Sequence, residues 1–391
     1  MSTVAESPSR AGEWLEDPGY GVYVHIPFCL HRCNYCDFNT YEGQQGLHQP
    51  YVEALVEEIE RWRGPGRRAT SVFFGGGTPT LLDAHQLGRL LEAVRHRFGI
   101  DAEAEITIEA NPETVDEAKF ESLLAAGFNR FSIGVQSLSA EVLARLGRTH
   151  SARDALAALG AARRAGADDV NADLIYGSPW ERSGDWAATL EGIIEAAPDH
   201  VSAYACTVEE GTPLHTLVRT GRASDVDPDL QAERHGVAAE SLAGAGYARY
   251  EISNWARPGR ASRHNLLYWS AGDYAGLGAG AHGHAAGQRW WSVRRPRDFI
   301  DAVNAGATTR AGGECLSRDE RAGEALMLGL RLTSGVDLDG FVRRFGRPSL
   351  DGRAEEVAAL ESLGLLERSG RRLALTPRAT MVANEVASRL L

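Results

Sequence analysis

Short apolar runs alternate along this chain with stretches whose apolar residues recur at helical spacing. The runs Val22–Ile26, Ser71–Phe74, Glu105–Glu109, Arg130–Gly134, Asp169–Ile175 and His200–Thr207 read as strands. Between them, Tyr51–Arg63, His85–Arg97, Val115–Ala126, Ala152–Ala165 and Ser183–Ala197 carry one apolar face each and read as helices. Gly127 and Gly166 stand where helix C-terminal glycines belong. Strand and helix in strict alternation predict a parallel sheet with helical crossovers, and six such units close only part of a barrel. Pro228–Ala245 extends the pattern by a helix, with a strand near Arg249–Ser253 and a Gly-rich loop over Ala271–Gly287.

From Leu316 the pattern changes. Helical segments at Arg318–Arg331, Leu338–Phe345 and Ala354–Leu363 lead to a short strand at Arg371–Thr376 and a last helix from Pro377. The expected organisation is therefore α/β, a partial (β/α)6 barrel over residues 21–250, an extension over 251–315, and a smaller, mainly helical, winged-helix-like domain over 316–391. Residues 1–20, polar and acidic, are expected to be a disordered leader.

Composition narrows the chemistry. At 391 residues and 43% hydrophobic content, the chain can bury one large core and a smaller one. The net charge of −12, with no Lys/Arg-rich block, gives no electrostatic support for nucleic-acid binding. No apolar stretch approaches the ~20 residues of a membrane span, which leaves only peripheral membrane contact open. Five cysteines, an odd number, and no export signal argue against a disulfide framework and for a reducing, cytoplasmic location. Three of them form Cys29-Leu-His-Arg-Cys33-Asn-Tyr-Cys36, directly after the first strand. Three thiolates so spaced hold three irons of a [4Fe–4S] cubane, whose fourth iron is then open to substrate. Zinc, with His25 or His31 as fourth ligand, is the rival occupant. Cys206 reads as a small core residue, Cys315 belongs to no motif, and Glu209-Glu210 reads as a solvated pair.

With its flank Tyr23-Val-His-Ile-Pro-Phe-Cys29, the triplet resembles the radical S-adenosylmethionine (SAM) superfamily, in the branch of oxygen-independent coproporphyrinogen III oxidase and the related haem chaperones. The resemblance runs from about Tyr20 to the C-terminus. It implies that the open iron chelates the amino and carboxylate groups of SAM, and that the reduced cluster passes an electron to the sulfonium. Gly75-Gly-Gly-Thr-Pro-Thr80 alone would be a tight turn, and no Gly-Lys-Ser/Thr makes it a P-loop. By resemblance it places Gly76, Gly77 and Thr78 against SAM. Glu109, Gln136 and Asp173, at strand ends, are singly no more than caps, but strand C-termini are where barrels of this kind keep their sites. By resemblance Tyr23, Glu109, Gln136, Arg148 and Asp173 line the SAM pocket, and Tyr35 stacks on adenine.

His264-Asn-Leu-Leu-Tyr-Trp269 reads from the residues alone as a partly buried aromatic turn. It resembles the HNxxYW motif of the haem chaperones, which makes His264 the leading axial-ligand candidate for haem. His282 and His284 form a second pair, a haem ligand or a flexible turn, the turn being the better reading for His284. Two readings of different class follow. One is a haem chaperone that delivers haem to respiratory haem proteins, as monomer or homodimer. The other is the oxidase, which would decarboxylate propionates by radical chemistry. The oxidase carries a further cysteine two residues past its triplet, where this chain has Phe38, and a longer N-terminal extension than the 28 residues before Cys29. Both departures favour the chaperone. A radical SAM protein with some other substrate is the third reading.

Overall fold

A computed structural model describes residues 12–64 and 66–391. Six parallel strands lie side by side in chain order: β1 (Tyr20–Ile26), β2 (Ala69–Gly76), β3 (Ile100–Ala110), β4 (Arg130–Gln136), β5 (Val170–Tyr176) and β6 (His200–Ala205). The crossovers are α1 (His48–Arg61), α2 (Ala84–Phe98), α3 (Glu117–Ala126), the pair α4 (Ala140–Leu146) and α5 (Ala152–Arg164), and α6 (Ser183–Ala196). β6 does not return to β1. The row stays open, and further strands extend both ends. Past β6, α7 (Pro213–Arg219) and α8 (Pro228–Gly244) precede the edge strands β7 (Ala248–Arg249) and β8 (Asn254–Ala256), which pair antiparallel. Beyond β1, a helix α9 (Arg263–Trp269) leads into β9 (Asp273–Leu277), parallel to β1, and then the meander β10 (His282–Ala285), β11 (Gln288–Ser292) and β12 (Arg310–Cys315), with α10 (Pro296–Asn304) inserted before the last.

The reason is visible in single elements. The inner strands are buried on both faces, as a parallel sheet under helices requires, and β1 reads Tyr20-Gly-Val-Tyr-Val-His-Ile26 with six of its seven residues buried. Helix α1 turns Tyr51, Val52, Leu55 and Ile59 inward, and α2 starts at Asp83, which forms a reciprocal capping box with Gln86. The stretch Ala271–Gly287 is not the glycine loop its composition suggests. Its glycines belong to β9, β10 and the tight turns beside them. A Cβ on Gly276 would lie 1.8 Å from the carbonyl oxygen of His282, so the close approach of the two strands admits only glycine there.

The C-terminal unit packs α11 (Arg318–Gly329), α12 (Leu338–Phe345), α13 (Arg347–Asp351), α14 (Ala354–Ser362) and α15 (Ala383–Ser388) with a small antiparallel sheet of β13 (Val336–Asp337), β14 (Leu366–Ser369) and β15 (Arg372–Leu375). Its core is separate from that of the large sheet and contains Leu326, Phe341, Phe345, Leu360 and also Trp14. Of the expected leader, residues 1–11 lie outside the described residues. From Gly12 on, disorder is corrected to a packed segment. Trp14 is 5% exposed, Glu16 pairs with Arg343 at 2.6 Å, and Leu15 N–H donates to Ser270 Oγ at 3.0 Å. The physical cause is one large aromatic ring in a polar stretch, enough apolar area to pin its neighbours. Trp14→Ala is expected to lower equilibrium stability in urea by about 3 kcal/mol, the low end for a buried Trp because its indole N–H has no partner. An unchanged unfolding midpoint would contradict this packing.

Candidate active site at the strand C-termini

The loop carrying the three cysteines leaves the C-terminal end of β1 and is tied down on all sides. Cys29 N–H donates to Tyr41 O at 3.0 Å, and Tyr41 N–H donates to Pro27 O at 2.7 Å. Asn34 N–H donates to Leu146 O at the end of α4, and Asn34 O accepts from Leu214 N–H in α7. Cys29, Cys33 and Cys36 are all half-buried free thiols. Burial pushes Cys29 up to about 11 and raises Cys36, and the charge of each neighbouring sulfur adds to the shift. Metal must therefore displace protons to bind, as thiolate ligation always requires.

Two of the sulfurs receive hydrogen bonds from the barrel. Thr78 Oγ1 donates to Cys29 Sγ at 3.7 Å, and Arg148 Nη1 donates to Cys33 Sγ at 3.4 Å. Asn111 joins the two donors, its Nδ2 donating to Thr78 Oγ1 at 3.0 Å and its Oδ1 accepting from Arg148 Nη2 at 2.7 Å. Arg148 is further fixed by Gly134 O at 3.1 Å, while its buried Nε has no hydrogen-bond partner among the described residues. A trio of thiols, donors aimed at sulfur and an unpaired guanidinium nitrogen fit an iron–sulfur cluster with an anionic ligand beside it. The zinc alternative fits less well. His25 is buried with Nδ1 bonded to Tyr23 OH at 2.9 Å and Nε2 to Asn39 O at 3.0 Å. His31 is exposed and faces Glu42 at 3.4 Å. Among the described residues, no three His, Cys, Asp or Glu side chains converge as a lone-ion site requires.

The other residues expected at the site gather round this loop. Gly76 has φ +112°, and a Cβ there would lie 2.5 Å from the His25 ring, so only glycine lets β2 end under the loop. Gly76 N–H donates to Glu109 Oε2 at 3.0 Å, Gly77 N–H to Ile26 O at 2.9 Å and Thr78 N–H to Phe28 O at 2.7 Å. Burial, then the charge of Asp173, pushes Glu109 up to about 8. Burial also raises Asp173, which accepts from Ser132 Oγ at 2.7 Å and Asn171 Nδ2 at 2.8 Å. Gln136 ends β4 at φ +66°, a left-handed conformation for a non-glycine residue, next to a register shift at Gly134/Gln136. Such strain is stored where a side chain must be aimed, and here it stands beside the SAM-pocket candidates. Tyr23 stacks on Phe73, and Tyr35 packs with Val142, Leu146 and Ile175, its hydroxyl raised by burial.

His264 is elsewhere. Helix α9 lies against the N-terminal halves of β1 and β2, the opposite end of the strands. His264 is 1% exposed, with Nδ1 bonded to Ser71 Oγ at 2.8 Å and Nε2 to Tyr268 OH at 3.0 Å, and its ring stacks on Phe73. Burial pushes it down to about 3. Glu105 holds the start of the helix, accepting from the N–H groups of Arg263 and His264 at 2.8 and 3.0 Å. His264 is thus buried and held between Ser71 and Tyr268, away from the cysteine loop. Both nitrogens are spent inside the protein, and Leu266 and Trp269 on the same helix pack against the C-terminal core. The motif is a helix wedged between two units, not a turn. Sequence reading also passed over Asn111, whose side chain links the sulfur donors; an Asn before Pro112 reads as an ordinary strand-end residue.

The family description "Radical SAM superfamily" matches residues 23–192, and "HemN C-terminal domain" matches residues 316–382. "Heme chaperone HemW" of Mycobacterium tuberculosis is 42% identical over 377 residues, 95% of this chain and 95% of that protein. "Heme chaperone HemW" of Bacillus subtilis is 33% identical over 93% of this chain and 97% of its own length. The solved structure of coproporphyrinogen III oxidase (HemN) from Escherichia coli, a radical SAM enzyme, covers 96% of this chain and 91% of its own with a TM-score of 0.82. At 24% identity that likeness establishes the fold alone.

The raised carboxyl of Glu109 has a consequence for stability. A folded-state value of about 8 against the ordinary 4.5 means that the folded protein holds this proton longer than the unfolded chain. Its contribution is complete below about pH 4.5 and is lost as the pH rises through about 8. Glu109→Gln is expected to flatten the decline of apoprotein stability across that window, measured by urea unfolding at several pH values. The same slope in variant and wild type would contradict the assignment.

Proposed function

We propose that the chain, which belongs to the radical SAM family that includes the proteins named heme chaperone HemW, binds haem and delivers it to respiratory haem proteins. The observation that carries the reading is similarity over 95% of the chain to a protein so named. Phe38 supports it. Two residues past Cys36, where the oxidase would carry a further cysteine, stands an apolar ring that is 64% exposed.

The family implies a [4Fe–4S] cluster and SAM. When bound, the cluster supplies one transferable electron and an iron open to the amino and carboxylate groups of SAM. The chain's own residues do the rest. Cys29, Cys33 and Cys36 hold the irons, while the hydroxyl of Thr78 and the guanidinium of Arg148 draw charge from two of the sulfurs. Glycine at 76 and 77 lets the end of β2 close under the loop, where a Cβ would meet the His25 ring and the Phe28 backbone. Glu109, Gln136, Asp173 and Tyr23 form a polar floor in which burial and the charge of Asp173 raise Glu109, and Tyr35 offers a ring for adenine. All five cysteines are free thiols, which suits the reducing cytoplasm. Among the described residues, no helix is long and apolar enough to cross a membrane.

The test is an anaerobic haem titration of the reconstituted protein, followed by mixing with a haem-free cytochrome. The expected result is a saturable Soret band that passes to the acceptor, with coproporphyrinogen III left intact in the presence of SAM and a reductant. Absence of haem binding, or release of decarboxylated porphyrinogen, would overturn the reading.

A further inference from the structure

Haem presents three chemistries to a protein: an iron that takes an imidazole nitrogen, an apolar disc and two carboxylates. A site for it needs a histidine with a free lone pair, and most buried histidines here have none. His25, His200 and His264 have both ring nitrogens bonded within the protein. His284 faces Asp273 through Nδ1 at 3.6 Å, and its Nε2, though unpartnered among the described residues, is fully buried and closed to an iron from outside. His282 differs. It opens β10 at the C-terminal end of β9, the end that carries the cysteine loop. It is exposed, its imidazole stacks on Trp291 across the β10–β11 pair at 6.0 Å, and neither nitrogen bonds to a described residue. Partial burial, then the charges of Arg289 and Arg294, holds it below its ordinary value, which favours the neutral ring.

The surroundings supply the other two chemistries. Past β11 the chain runs Arg294-Arg295-Pro-Arg297. All three arginines are exposed, and none pairs with a carboxylate among the described residues, in a chain of net charge −12. Arg295 and Arg297 line a cleft of about 530 Å³ against Tyr41 and Leu47. Asn39 ties this rim to the cysteine loop, donating to Ala279 O at 3.1 Å and to Arg294 O at 2.9 Å. Its neighbour Phe38 is the exposed ring already noted.

We propose that haem docks on this rim, with His282 as an axial ligand, Phe38 against a porphyrin face and Arg294, Arg295 and Arg297 receiving the propionates. The inference rests on the haem-chaperone reading and adds the place and the ligand. Arginines suit propionates because their donors match a carboxylate's two oxygens, and a neutral imidazole backed by an indole is a ready iron ligand.

The experiment titrates ferric haem, and separately ferric haem dimethyl ester, into the reconstituted full-length protein, its His282→Ala variant and the double variant Arg295→Glu with Arg297→Glu. Soret position and the electron paramagnetic resonance of the ferric iron are read alongside affinity. Both variants are surface changes, checked by circular dichroism and by iron content. His282→Ala is expected to bind haem about tenfold or more weakly with altered spectra, and added imidazole is expected to restore the wild-type spectra. The double variant is expected to weaken haem but not the diester. Wild-type affinity and spectra in His282→Ala would overturn the axial ligand while leaving the chaperone reading intact. Equal losses for haem and diester would overturn the propionate contacts. No haem binding by the wild type would instead bring down the chaperone reading itself.

Discussion

The sulfur atoms of Cys29 and Cys33 are joined by an unbroken path of four hydrogen bonds through Thr78, Asn111 and Arg148. The path crosses three strands of the sheet. Thr78 follows β2, Asn111 follows β3, and Arg148, beyond α4, is anchored on Gly134 of β4. A loop with three thiols has little structure of its own. Here it takes its shape from the ends of the strands beneath it, and each bond to a charged partner is worth about 1.5–3 kcal/mol in such surroundings. The same donors withdraw charge from sulfur, so one set of contacts shapes the loop and tunes what it holds.

The two ends of the strands do different work. At the C-terminal end, polar groups converge around the cysteines, with raised carboxyls at Glu109 and Asp173 and a strained Gln136. At the N-terminal end, α9 closes the sheet with His264 bonded between Ser71 and Tyr268. Its other face meets the C-terminal unit through Leu266 and Trp269, and Arg331 lies 4.7 Å over the Trp269 ring. The His-Asn-Leu-Leu-Tyr-Trp segment is thus a splice between two cores.

Much of this was legible in the sequence because it is written in short-range pattern. The six inner strands are apolar runs and their crossovers are amphipathic, so periodicity finds them within a few residues. The cysteine spacing and glycine run are equally local. What escaped depends on the third dimension. Asn111 matters only because β3 brings it between Thr78 and Arg148. The contact between His264 and Tyr268, i and i+4 on one helix turn, is likewise invisible until the segment is seen to be a helix. The strands β9 and β10 were hidden by glycine, which their close approach demands and which weakens any strand pattern. Trp14 was lost in a polar leader for the converse reason, as one residue cannot make a period.

The central claim is that the relay acts on the sulfurs electrically and not only as a scaffold. A reduced cluster carries one more negative charge than an oxidised one, and the guanidinium of Arg148 beside Cys33 favours the reduced form. The direct measurement is the reduction potential of the reconstituted cluster in wild type and in Arg148→Gln, which keeps a donor and loses the charge. The account predicts a potential lower by tens of millivolts with full iron content. An unchanged potential in a fully loaded variant would contradict it.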